Sequence, residues 1–170
     1  MNEQEQKSIL EQWLQTHRGL LFKVVRAYAH THEDRDDLFQ DIVLQVWRSI
    51  PNFRGDAAVS TWLYRIALNI AMKWNGRQRR HHDAHTSLQD IEGILKASDE
   101  APDERLLWLY REIAKLHELD RSLCLLMLDG FSYKEMAGIV GISESNVGVR
   151  INRIKQKLIK RSENYDYHGI

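Results

Sequence analysis

Ser132-Tyr133-Lys134-Glu135-Met136-Ala137-Gly138-Ile139-Val140-Gly141-Ile142-Ser143, continued by Glu144 to Ile154, is the stretch from which the rest of this chain is read. Ala137, Gly141, Val147 and Ile151 fall at spacings of four, six and four. That pattern fits a helix-turn-helix: a small residue for close helix approach, a glycine for the turn and two apolar anchors on the second helix. Ser132 and Glu135 form an S-x-x-E capping box for the first helix. Ser143 is a good N-cap for the second. Asn146, Arg150, Asn152, Arg153 and Lys155 then supply side-chain types that reach bases and phosphates. The segment predicts DNA binding.

Composition sets the frame around it. A length of 170 residues accommodates one ordinary domain or two small ones. With two prolines, nine glycines and 43% hydrophobic residues, the chain favours all-helical packing. The single cysteine, Cys124, lies in the apolar run Leu123 to Leu128 and reads as a buried core thiol. The polar start, Met1 to Gln6, does not resemble a signal peptide, and no apolar run approaches membrane-spanning length. A cytoplasmic protein without membrane insertion is expected.

The formal net charge is zero, which hides a strong segregation. Ala57 to His82 holds Arg65, Lys73, Arg77, Arg79 and Arg80 and no acid. Ser145 to Ser162 holds Arg150, Arg153, Lys155, Lys157, Lys160 and Arg161, again with no acid. Asp83 to Glu104 carries seven acids against Lys96 alone. Two basic blocks flank an acidic spacer, and one of them sits on the helix-turn-helix.

Periodicity predicts the remaining helices. Ile9 to Ala29 reads as amphipathic, with Trp13, Leu20, Leu21, Val24, Val25 and Tyr28 on one side. After a polar break at Thr31 to Arg35, Asp34 or Asp36 is the expected cap of a second helix running to about Ile50, ended by Pro51. Ser60 or Thr61 is the expected cap of a third, Trp62 to about Asn75, with Leu63, Ile66, Ala67, Ile70 and Met72 or Trp74 inward. His81 to Pro102 reads as a mobile linker with at most a short helix near Leu88 to Leu95. Pro102 to Leu116 and Asp120 to Leu128 are two further helices, the latter stopped at Asp129-Gly130. The last helix extends to about Arg161, followed by a frayed tail. The fold class is all-α: two small helical domains joined by a flexible linker, the second containing the helix-turn-helix.

Two more segments carry functional information. On the second helix Asp37, Gln40, Asp41 and Leu44 share a face opposite Leu38, Ile42 and Val46. The third helix, Trp62-Leu63-Tyr64-Arg65-Ile66-Ala67-Leu68-Asn69-Ile70-Ala71-Met72-Lys73-Trp74, interleaves aromatic and basic side chains. That composition suits single-stranded bases, although Trp62 is also a candidate core aromatic. His81, His82 and His85 cluster, but no carboxylate or thiol set completes a metal site, and no catalytic constellation is present. No cofactor is expected.

Taken in order, the acidic-face helix, the W-L-x-x-I-A-x-N helix, the basic end, the acidic spacer and the helix-turn-helix resemble a bacterial sigma factor. The likeness is to the small extracytoplasmic-function group and covers about Leu20 to Arg161. It implies a region 2-like domain (1–82), an acidic linker (83–102) and a region 4-like domain (103–170). It also implies core RNA polymerase and promoter DNA as partners, with an anti-sigma factor as a candidate third. Asp37, Gln40, Asp41, Leu44 and Trp47 are the residues implied for polymerase, Trp47 being alternatively core. Trp62, Arg65, Asn69, Lys73, Arg77, Arg79 and Arg80 are those implied for the −10 element. In the −35 element Ser145, Asn146, Val149, Arg150 and Arg153 are expected to face the major groove. Asn152, Lys155 and Lys157 are expected to meet phosphates or solvent. The chain departs from the family pattern in Lys73 for a common acid, Leu68 and Gly76 for frequent arginines, His117 for proline and Gly148 for lysine. The competing reading is a stand-alone helix-turn-helix regulator, which accounts for the C-terminal segment but not for the Trp62 to Arg80 helix.

Overall fold

A computed structural model describes residues 2–81 and 103–165; for 75–81 only the backbone is described. The described residues are helical and without strands. By packing, the chain divides between Ala114 and Lys115 into two units.

In the first unit, α1 (Glu3–Tyr28), α2 (His32–Ser49) and α3 (Val59–His81) pack against one another. A short 3-10 turn, Ile50–Asn52, follows α2. Leu21, Val24, Val25 and Tyr28 of α1 meet a core that includes Leu38, Ile42 and Val46 of α2 and Leu63, Tyr64, Ala67, Leu68 and Ala71 of α3, all essentially excluded from solvent. The three- and four-residue recurrence of these positions is why each segment is a helix with one dry face.

Helix ends differ from the sequence reading. α1 starts six residues before Ile9, because Asn2 caps it reciprocally with Glu5: Asn2 Oδ1 accepts from the Glu5 amide (2.8 Å) and Glu5 Oε2 from the Asn2 amide (2.9 Å). The cap of α2 is Thr31, whose hydroxyl accepts from the Asp34 amide at 3.0 Å, not Asp34 or Asp36. α3 begins at Val59 and continues through Gly76 to His81. Leu68, which stands where an arginine is frequent, is buried at 1% exposure and belongs to the core. α4 (Glu104–Ala114) falls with this unit and packs on α1, although composition groups it with the C-terminal half.

In the second unit, α5 (Glu118–Leu128), α6 (Tyr133–Val140) and α7 (Glu144–Glu163) pack on one another. Leu123, Cys124, Leu126, Met136, Ile139, Val147, Ile151 and Ile154 form the core. Cys124 is buried, as its apolar run predicts, and burial pushes the thiol pKa up to about 11. Arg121 is buried and donates from Nη2 to the Leu116 carbonyl at 3.0 Å.

The helix-turn-helix forms as its sequence predicts. Both capping-box bonds form: the Ser132 amide donates to Glu135 Oε2 at 2.7 Å and the Glu135 amide donates to Ser132 Oγ at 3.2 Å. Hydrogen bonding from Ser132 to the carboxylate, its backbone amide first and its side chain second, lowers the Glu135 pKa. α6 ends at Gly141, left-handed at φ 77°, whose amide donates to the Ala137 carbonyl at 2.9 Å. Ser143 then caps α7 by accepting from the Asn146 amide at 3.2 Å. The linker reading, its short helix near Leu88 to Leu95, and His82 and His85 lie outside the described residues, as does the tail beyond 165.

Candidate nucleic-acid and partner interfaces

On α2 the dry face of Leu38, Ile42 and Val46 leaves the opposite strip in solvent. Asp37, Gln40 and Asp41 are exposed there, and Leu44 is 46% exposed although it is large and apolar. Trp47 is half-buried at the edge of the strip, and its carbonyl accepts from Gln6 Nε2 at 2.7 Å. Arg48 is also exposed on this side, a cation that the acidic pattern obscured.

Between α2 and α3 lies a groove of about 210 Å³. Asp41, Leu44, Gln45 and Arg48 line one wall; Ile70, Lys73 and Trp74 line the other. Two residues expected to meet polymerase, Asp41 and Leu44, thus share a surface with Lys73, expected to meet DNA. Trp74 is buried, and Asp41, Arg48 and Lys73 bring charges of both signs to the groove lining.

The solvent side of α3 carries Arg65, Asn69 and Lys73, exposed at successive four-residue intervals. The helix places a hydrogen-bonding amide between two cations, a suitable strip for a sugar-phosphate backbone and its bases. Trp62 has a second occupation. Its ring lies 5.4 Å from Trp13 and 5.0 Å from Phe53, and Trp13 and Phe53 are 5.1 Å apart. The indole is half-buried in this three-ring cluster, so packing is the role its geometry displays. The side chains of Arg77, Arg79 and Arg80 lie outside the described residues, although their backbone continues α3.

In the second unit, α7 buries Val147, Ile151 and Ile154 and turns the opposite face outward. Ser145, Val149, Asn152 and Gln156 recur along that outward face at spacings of four, three and four, and all are exposed. Arg153 is exposed beside them, and Asn146 and Lys157 flank the same side. Lys155 lies on the other flank, nearer the solvent edge of α7 than the centre of the face.

Asn152, expected at phosphates or solvent, is exposed in the central row. Arg150, expected in the groove, is only half-exposed, and its Nη1 donates to Asp120 Oδ1 of α5 at 2.7 Å. Gln156 was not anticipated; its four-residue step from Asn152 is the signal that finds it. Gly148 lies under the Tyr133 ring, where an added Cβ would sit 3.5 Å from Cε2.

Comparison with known proteins agrees with this geometry. Residues 13–81 match the sigma-70 region 2 model and residues 106–158 the sigma-70 region 4 model. The extracytoplasmic-function sigma factor SigM of Mycobacterium tuberculosis is 30% identical over 151 residues, covering 88% of this chain and 75% of SigM. The sigma-E factor of Escherichia coli K12 is 33% identical over 138 residues, covering 74% and 72%. Two solved structures share the fold. CnrH in complex with the cytosolic domain of CnrY has a TM-score of 0.68 at 22% identity, covering 94% of this chain and 91% of that one. The sigma factor RpoE of Bartonella quintana, in complex with the anti-sigma factor NepR, has a TM-score of 0.65 at 19% identity, covering 88% and 94%. With regions 2 and 4 matched in order along the chain, and with a relative 30% identical over most of its length, the chain belongs to the sigma-70 family, in its extracytoplasmic-function group.

Proposed function

We propose that this protein binds core RNA polymerase and directs it to promoters, working in the cytoplasm and performing no bond chemistry of its own. The observation that carries the reading is the pairing of the two family regions with two exposed polar strips, Arg65-Asn69-Lys73 on α3 and the outward row of α7. Functionally the chain divides into 1–82, an acidic spacer at 83–102 and 103–170, the last including α4, in keeping with the region 4 match from residue 106.

In this reading the α2 strip of Asp37, Gln40, Asp41 and Leu44 meets polymerase. Leu44 supplies an apolar anchor inside a charged rim, the usual make-up of an interface centre. Arg65, Asn69 and Lys73, continued by Arg77, Arg79 and Arg80, hold the opened strand of the −10 element. Opening duplex costs a few kcal/mol per base, roughly, so captured bases and polymerase contacts together must offset it. The outward row of α7 reads the −35 element. Held at promoter spacing by polymerase, two weak contacts become linked ones. An anti-sigma factor is a fitting negative regulator, since both structurally similar proteins named above were solved with protein partners, one of them a sigma factor with its anti-sigma factor.

Transcription reconstituted from core polymerase, this protein and a genomic fragment library tests the reading. Start sites should share a two-part upstream motif and depend on the added protein. The free protein should bind duplex promoter weakly at physiological salt, because the spacer from Asp83 to Glu104 sets seven acids between its basic blocks and the whole chain is neutral. Tight sequence-specific binding by the free chain, without start sites, would instead identify a stand-alone regulator.

A further inference from the structure

Val149 is 50% exposed at the centre of the outward face of α7, one turn after Ser145 and one turn before Asn152 and Arg153. The core of the unit does not use it: Val147, Ile151 and Ile154 point the other way and are buried. A single exposed valine is ordinary on a protein surface. This one is the apolar member of the outward row Ser145, Val149, Asn152 and Gln156, and its neighbours one turn away, Ser145, Asn146, Asn152 and Arg153, are polar and exposed. An isolated pair of methyl groups is thus presented at the centre of a face otherwise built for polar contacts.

The edges of the bases in the major groove present donors and acceptors at every pair, and one apolar group: the 5-methyl of thymine. Valine is stiff at χ1 within a helix, so its two methyls are held in one orientation. We infer that Val149 reads one thymine of the upstream promoter element through its 5-methyl group. The inference rests on the reading of α7 as the major-groove helix.

Deoxyuridine pairs as thymine does but lacks the methyl. Holoenzyme assembled from the full chain and core polymerase is titrated on promoter probes in which each thymine of the upstream element, on either strand, is replaced singly by deoxyuridine. One replacement should weaken wild-type binding roughly four-fold, the size of losing one buried methyl-sized group. The same replacement should have no effect on Val149→Ala, while Ser145→Ala should retain the sensitivity. The exposed position leaves folding intact, which the melting temperature of Val149→Ala verifies. The inference is overturned if no single replacement matters to wild type, or if Val149→Ala keeps the sensitive position. The underlying reading is tested separately by scrambling the upstream element and by Arg153→Ala, both of which must weaken binding whatever deoxyuridine does.

Discussion

Arg150 of α7 donates from Nη1 to Asp120 Oδ1 of α5 across 2.7 Å, tying the recognition helix to the first helix of its unit. Asp120 lies in the first turn of α5, where the helix dipole also favours a carboxylate. The arginine therefore positions α7 rather than adding a free cation to its outward face. Arg150→Ala and Asp120→Ala should each lower the stability of the second unit by about 1 kcal/mol, the range for a partly exposed charged hydrogen bond. The double variant should cost less than the sum. Thermal melts of all four proteins give the coupling; strict additivity would mean that the pair contributes nothing.

Arg153 and Lys157 should separate by the kind of loss they cause. Arg153 is exposed beside the central row of α7, so its removal should cost about 1–3 kcal/mol at one base pair and relax preference there. Lys157 lies on the flank, so Lys157→Ala should weaken holoenzyme binding evenly across sequences and shallow the salt dependence by about one unit of slope. Selection profiles and salt titrations of the two variants check this. Identical profiles would sink the division.

Two glycines seven residues apart should respond to alanine with opposite signs. Gly141 is left-handed at φ 77°, so Gly141→Ala should destabilise the unit by about 1–2 kcal/mol. Gly148 is inside α7, and an added Cβ meets the Tyr133 ring at ordinary contact distance. Gly148→Ala should therefore stabilise by about 0.5–1 kcal/mol. Denaturant midpoints measure both; a loss at Gly148 would show that Tyr133 cannot accept the contact.

Asp41→Arg and Leu44→Ala should both weaken association with core polymerase while leaving the melting temperature of the first unit unchanged, because both side chains are exposed. The reversed charge should act chiefly on the association rate and the truncation on the dissociation rate. Surface-immobilised polymerase resolves the two rates. Unaltered affinity for both variants would remove this strip from the interface.

The helical fold, the order of its elements and the helix-turn-helix were legible because they depend on neighbours three, four or a few residues away. Ser132 and Glu135 find each other within one turn. The exposed interval of Arg65, Asn69 and Lys73 follows from helical spacing alone. What was not legible depends on partners distant in sequence. Arg150 and Arg153 look alike by type and lie three apart, yet Asp120, thirty residues earlier, takes one of them. The ring of Trp62 was ambiguous until Trp13 and Phe53 closed around it. Lys73 reads as part of a nucleic-acid strip, and only the packing of α2 against α3 sets it across a groove from Asp41. The start of α1 was missed for a local reason: Asn2 to Gln6 looks like a solvated tail unless the reciprocal bonds with Glu5 are recognised.

The three-ring cluster of Trp13, Phe53 and Trp62 fixes both ends of the loop between the 3-10 turn and α3. Phe53 stands at its entrance and Trp62 in the first turn beyond it, both held against α1, while Arg54 to Ala58 remain exposed between them. A loop anchored at both ends has lost most of its end-to-end freedom during folding. Whatever grips its exposed tip meets a segment whose ordering is largely complete, so little of the contact energy is consumed in immobilising it. Loosening any one ring would shift that entropy loss from the folding step to the binding step, weakening capture without touching a single residue at the tip.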